Sequence, residues 1–107
     1  MKIEVLYIRG CPNHELAVEQ IRLAMCTEGV TAPVEEVEIQ DSAMAQELSF
    51  FGSPSIRIDG LDVEPEARAL MTFGFGCRTY SAGRYRSGLP SLELIRRALM
   101  EANELGS

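Results

Sequence analysis

Lys2–Ile–Glu–Val–Leu–Tyr–Ile8 runs without a break into Arg9–Gly10–Cys11–Pro12–Asn13–His14. The first seven residues alternate and then turn continuously apolar, the pattern of a strand buried on both faces near the middle of a sheet. Gly10 frees the backbone for a sharp turn, and Pro12 is best tolerated in the first turn of a helix. From His14 to about Thr27 the spacing is helical: Ala17, Ile21 and Ala24 form one stripe, with Val18 and Met25 beside it, and Gly29 is placed to cap the end. The stretch therefore predicts strand, tight loop and helix, with a cysteine at the junction.

Working outward, Val34–Glu–Glu–Val–Glu–Ile39 reads as a second strand. Asp41 or Ser42 can cap a second helix carrying Met44, Leu48 and Phe51, stopped by Gly52–Ser53–Pro54. Ser55–Ile–Arg–Ile58 alternates, and Asp59–Gly60 is a hairpin signal. Pro65 to Met71 can make a short helix, whereas Thr72–Phe–Gly–Phe–Gly76 is too rich in glycine for a strand. Cys77–Arg–Thr–Tyr80 is expected as a last edge strand, followed by a loop through Gly83 and Gly88. Ser91 caps a final helix with Leu92, Ile95 and Leu99 on its buried stripe, and Glu93 suits the positive end of the dipole. The predicted order is β-α-β-α-β-β-α. A strand, helix and strand at the start imply a right-handed parallel crossover, and the closing hairpin makes the sheet mixed.

The 107 residues suit one domain, 1–107, able to bury a modest core without cross-links. Sixteen acidic residues against ten Lys and Arg, a net charge of −6, exclude a phosphate-tracking basic stripe and hence a nucleic-acid partner. Arg78, Arg84 and Arg86 gather locally and read as a solvated loop. No apolar run is long enough for a signal peptide or a membrane span, so a cytoplasmic protein with no membrane partner is expected. Three cysteines do not make a disulfide framework.

Cys11 precedes a helix whose first N–H groups and dipole favour a thiolate, the reactive form of the side chain. The alternative is a small buried apolar cysteine. His14, one helical turn on, either supports that thiolate as an imidazolium and protonates a leaving thiol, or is a first-turn polar residue with no partner. Cys26, beside Met25, is expected in the core, as are Met25, Met44, Met71 and Met100.

A first strand, Cys11–Pro12–Asn13–His14 opening a helix, and Gly52–Ser53–Pro54 before a strand resemble the thioredoxin superfamily. With Ser53–Pro65, Cys77–Tyr80 and the Leu89–Pro90–Ser91 helix start, they resemble its small bacterial members, some of which carry an alkylmercury-lyase-related label. The resemblance implies a three-layer α/β fold, a mixed four-stranded sheet with helices on both faces, and a divergent insertion at about 64–88. It implies a cis peptide at Pro54, Cys11 as nucleophile, Pro12, Ser53 and Pro54 on the substrate side, and no cofactor. The usual Cys-x-x-Cys is absent, because His14 stands where the second cysteine would be. Cys11 then works as a monothiol, or Cys77 resolves it, or redox work has been lost.

Two functions follow from this. One is thiol–disulfide exchange or thiol transfer with a protein or small-molecule disulfide. The other is a non-catalytic module that binds a soft metal, an organomercurial or a protein, with Cys11, Cys77 and His14 as candidate ligands. A third reading is a homodimer through an apolar patch at 72–76.

Overall fold

The computed structural model describes residues 1–50, 52–69, 76, 78–82 and 85–106. Its main sheet has the order β2-β1-β3-β4, formed by β1 (Ile3–Ile8), β2 (Val34–Ile39), β3 (Ser55–Ile58) and β4 (Leu61–Asp62). β1 runs parallel to β2 in the register Ile3↔Val34 to Ile8↔Ile39, and antiparallel to β3 from Ile3↔Ile58 to Leu6↔Ser55. The apolar run of β1 thus lies between two neighbours, as its composition requires.

Alternation along β1 divides the core. Ile3 and Val5 pack with Ile56 and Ile58 of β3, with Ala17 and Ile21 of α1 (His14–Glu28), and with Ile95 and Leu99 of α3 (Leu92–Gly106). Leu6 packs on the other face with Ile39, Phe50 and Ala45 of α2 (Ser42–Glu47). Helices therefore cover both faces of a mixed sheet in an α/β fold.

The helix ends follow their local chemistry. Gly29 adopts φ +66° and donates to the Cys26 carbonyl, while the Val30 N–H reaches the Met25 carbonyl at 2.8 Å, a Schellman closure of α1. The Asp41 carboxylate accepts from the Met44 N–H at 2.8 Å, and the Ser91 hydroxyl from the Leu94 N–H at 3.1 Å. Asp59 and Gly60 take φ +51° and +84°, the left-handed pair that a two-residue hairpin needs.

Several expectations are corrected. α2 ends at Glu47, Ser49 turns to φ +56°, and Phe50 is the aromatic that fills the core; Phe51 lies outside the described residues. Cys26 is exposed, because a step of about 100° past Met25 carries it off the buried stripe of α1. Met100 is 49% exposed for the same reason on α3, and Met71 lies outside the described residues.

The helix expected at Pro65–Met71 is a 3-10 turn over Pro65–Ala69. Of the edge strand expected at Cys77–Tyr80, only Tyr80 lies in a strand among the described residues. Cys77 lies outside the described residues, and β5 (Tyr80–Ala82) pairs with β6 (Tyr85–Ser87) in a separate two-stranded sheet. Ala82 pairs with Tyr85, so strand pairing falls within the stretch expected as a loop through Gly83 and Gly88; Gly83 itself lies outside the described residues. Among the described residues no helix is long and apolar enough to cross a membrane.

Candidate functional site

The chain leaves β1 at Ile8, turns at Gly10 with φ +80°, and starts α1 at His14. Within this turn the Cys11 N–H donates to the Ile8 carbonyl at 3.2 Å, and the His14 N–H to the Cys11 carbonyl at 3.3 Å. Cys11 is half-buried and Pro12 is exposed. Asn13 occupies the N-cap position without a side-chain hydrogen bond to the helix. Of the first-turn N–H groups, that of His14 is taken by the Cys11 carbonyl, so the turn that holds the cysteine itself closes the start of α1.

The Ser53–Pro54 peptide bond is cis. Ser53 is 1% exposed, and its hydroxyl accepts from the Ile8 N–H at 3.1 Å. The two peptide groups of Ile8 thus bind both halves of the site, its N–H to the Ser53 side chain and its C=O to the Cys11 backbone. The Cys11 turn and the Ser53–Pro54 loop, drawn from distant parts of the chain, are thus both anchored at the carboxyl end of β1, the end at which open α/β sheets place their ligands.

Ser53 makes two further contacts that the sequence did not anticipate. Its N–H donates to the Gly76 carbonyl at 2.7 Å, and its carbonyl accepts from the Arg78 N–H at 3.1 Å. Both main-chain hydrogen-bonding groups of Ser53 are therefore engaged by the chain itself. The approach is close: a Cβ on Gly52 would lie 2.4 Å from Cβ of Arg78, so only glycine fits there. Gly76 and Arg78 flank Cys77, which lies outside the described residues, as does Arg84.

Arg78 is 6% exposed, which corrects its reading as a solvated loop residue. A buried guanidinium needs counter-charges, and Arg78 finds them on the β3–β4 hairpin and beyond. Nη1 lies 2.7 Å from Asp62 Oδ2, Nη2 3.3 Å from Glu64 Oε1, and Nη1 also donates to the Ser55 hydroxyl at 3.2 Å. The guanidinium stacks 3.9 Å over the ring of Tyr80, whose hydroxyl donates to the Pro54 carbonyl at 2.5 Å. Burial pushes the Tyr80 phenol far above its ordinary range, partly offset by Arg78, so this donor keeps its proton at any pH at which thiols titrate.

His14 is not the partnerless polar residue of one expectation. Its Nε2 lies 2.6 Å from Glu36 Oε1, and its ring stacks on Tyr7 with centroids 3.6 Å apart and planes 8° from parallel. Glu36 and Tyr7 stand on neighbouring parallel strands and fix the imidazole against the sheet at the start of α1. The sequence concealed this pair, since Glu36 is one of three glutamates in β2 and nothing local distinguishes it from Glu38 on the same face.

Among the described residues no group of three or more His, Cys, Asp and Glu side chains is placed to hold a metal ion. A cavity of about 200 Å³ lined by Ile58, Leu61, Arg68, Ala98 and Ala102 lies elsewhere. Its Asp59 bonds Lys2 at the opposite end of β1 from Cys11. The chain matches no family model, no curated protein and no solved structure.

Proposed function

We propose that this chain is a thioredoxin-like thiol–disulfide exchange protein with Cys11 as its nucleophile. The observation that carries the reading is the double role of Ile8, which ties the Cys11 turn and the Ser53–Pro54 loop together at one end of the sheet. The strand order β2-β1-β3-β4, the cis bond at Pro54 and a helix start without a side-chain cap support it. In the proposed step the Cys11 thiolate attacks one sulfur of a disulfide. The S–S bond breaks, the departing sulfur takes a proton, and Cys11 is left in a mixed disulfide. A second thiol, Cys77 or a small external one, then attacks the Cys11 sulfur. It releases the first partner as a thiol and keeps the disulfide. His14, held by Glu36 and Tyr7, is the proposed proton source for the departing sulfur, and Pro12 and Pro54 border the approach.

Alkylation with iodoacetamide at neutral pH, read at each cysteine by peptide mass mapping, tests the proposal. Cys26 is exposed on a helix and serves as the internal reference. Cys11 is expected to react at least about tenfold faster than Cys26 despite its lower exposure. A Cys11 rate at or below that of Cys26 would remove the nucleophile.

The engagement of both Ser53 backbone groups by Gly76 and Arg78 favours a second reading, a thioredoxin-like binding module without turnover. Equal disulfide reduction by the wild type and Cys11→Ser would select it.

A further inference from the structure

We propose that the exchange site takes low-molecular-weight disulfides and excludes extended polypeptide disulfides, because the chain's own stretch through Gly76, Arg78 and Tyr80 occupies the pairing edge of Ser53. The inference rests on the exchange reading of Cys11 and names its substrate class. An extended peptide recruited to a sheet edge gains affinity from main-chain hydrogen bonds. At Ser53 both main-chain groups are already used, the N–H by Gly76 and the carbonyl by Arg78.

The occupant is not loosely held. Arg78 is fixed by Asp62, Glu64 and Ser55, and Tyr80 is fully buried with its hydroxyl on the Pro54 carbonyl. The far end of the same region packs on the thiol loop, since a Cβ on Gly88 would lie 2.3 Å from Nδ2 of Asn13. A peptide would have to displace the main-chain groups of Gly76 and Arg78 from Ser53, and the side-chain ion pairs of Arg78 anchor that segment against displacement. Breaking a buried ion pair of this kind disfavours the open form by roughly two-hundred- to five-thousandfold. A small disulfide needs only the half-buried sulfur of Cys11 and no strand edge, and loses nothing.

Two probes with matched leaving groups test this. One is hydroxyethyl disulfide. The other is an extended peptide with a single cysteine capped as its mixed disulfide with mercaptoethanol. In each, the Cys11 thiolate attacks a sulfur, the S–S bond breaks, the displaced thiolate takes a proton from His14, which regains one from water, and an adduct stays on Cys11. Initial rates of adduct formation at Cys11 are read by mass after an acid quench. The small probe is expected to react at least about tenfold faster than the peptide adduct forms. In Tyr80→Phe, which removes one bond of the occupant, the ratio of peptide to small-probe rates is expected to rise roughly fivefold. A peptide adduct forming as fast as the small one in the wild type overturns the proposal and leaves the exchange reading intact. A ratio unmoved in a folded Tyr80→Phe also overturns it. Failure of Cys11 to react with either probe overturns both.

Discussion

Replacing Gly52 by alanine is the most informative single change, because it sets the Pro54 loop against the segment that crosses it. At Gly52 φ is +150°, a conformation L-residues rarely adopt, and the added Cβ would lie 2.4 Å from Cβ of Arg78 and 3.0 Å from its Cα and N. Arg78 cannot yield as a flexible tip would. Its N–H is tied to Ser53 and its guanidinium to Asp62 at 2.7 Å. Relief therefore requires opening the two Ser53 bonds, at about 1 kcal/mol each, together with about 1–3 kcal/mol for the backbone conformation. The sum, about 3–5 kcal/mol, is a large part of the ~5–15 kcal/mol expected for a whole domain. Urea unfolding followed by far-UV circular dichroism should show a lowered midpoint with an unchanged slope. Gly76→Ala is the matched control. It lies on the same segment, its added Cβ meets nothing within 4 Å, and its cost should stay within about 0.5 kcal/mol. A loss below about 1 kcal/mol for Gly52→Ala, or equal losses for the two variants, would refute the close packing described at Arg78.

Three further expectations follow from individual contacts. Above the ordinary tyrosine range, near pH 10, the unfolded chain releases the Tyr80 proton while the buried phenol keeps it, so stability should fall by about 1.4 kcal/mol per pH unit. Denaturant titrations from pH 8 to 11 should show a shallower decline in Tyr80→Phe, and parallel curves for the two proteins would contradict it. Glu36→Gln removes the carboxylate 2.6 Å from His14 at a part-exposed site, and a double-mutant cycle with His14→Gln should give a coupling below about 1 kcal/mol. A larger coupling would mean that the pair is far better shielded than its exposure indicates. Asp41→Ala deletes the only side-chain cap of the short α2 and should cost about 1 kcal/mol in thermal or urea unfolding. No measurable loss would mean that packing of Phe50 alone holds that turn.

What could be read in advance depended on how far apart in the chain the cause and the effect lie. β1, α1 and β2 came out almost to the residue because their signals are local: a continuous apolar run, a 3.6-residue stripe closed by Gly29, and branched residues interleaved with glutamates. The Asp59–Gly60 hairpin and the Ser91 cap are equally local. Among the described residues after Pro65, the organisation is imposed from elsewhere in the chain. Arg78 is drawn inward by Asp62 and Glu64, and charge identity alone points an arginine to solvent. Cys26 shows the limit of stripe reading, since one residue of rotation separates core from surface. At the site, Cys11, His14, Ser53 and Pro54 were legible as chemistry. Tyr7, Glu36, Arg78 and Tyr80 were not, because each acts through a partner that only the folded register supplies.

The double use of Ile8 has a consequence for how this region tolerates change. The separation between the sulfur-bearing turn and the proline loop is set by two main-chain groups and one hydroxyl, so it is encoded in chain length more than in side-chain identity. Substituting Ile8 by another strand-forming residue preserves that gauge, whereas adding or deleting one residue at Arg9–Gly10 shifts the Cys11 N–H off its acceptor and tilts the start of α1 with it. The fixed quantity is a count of peptide units between a strand end and a helix start.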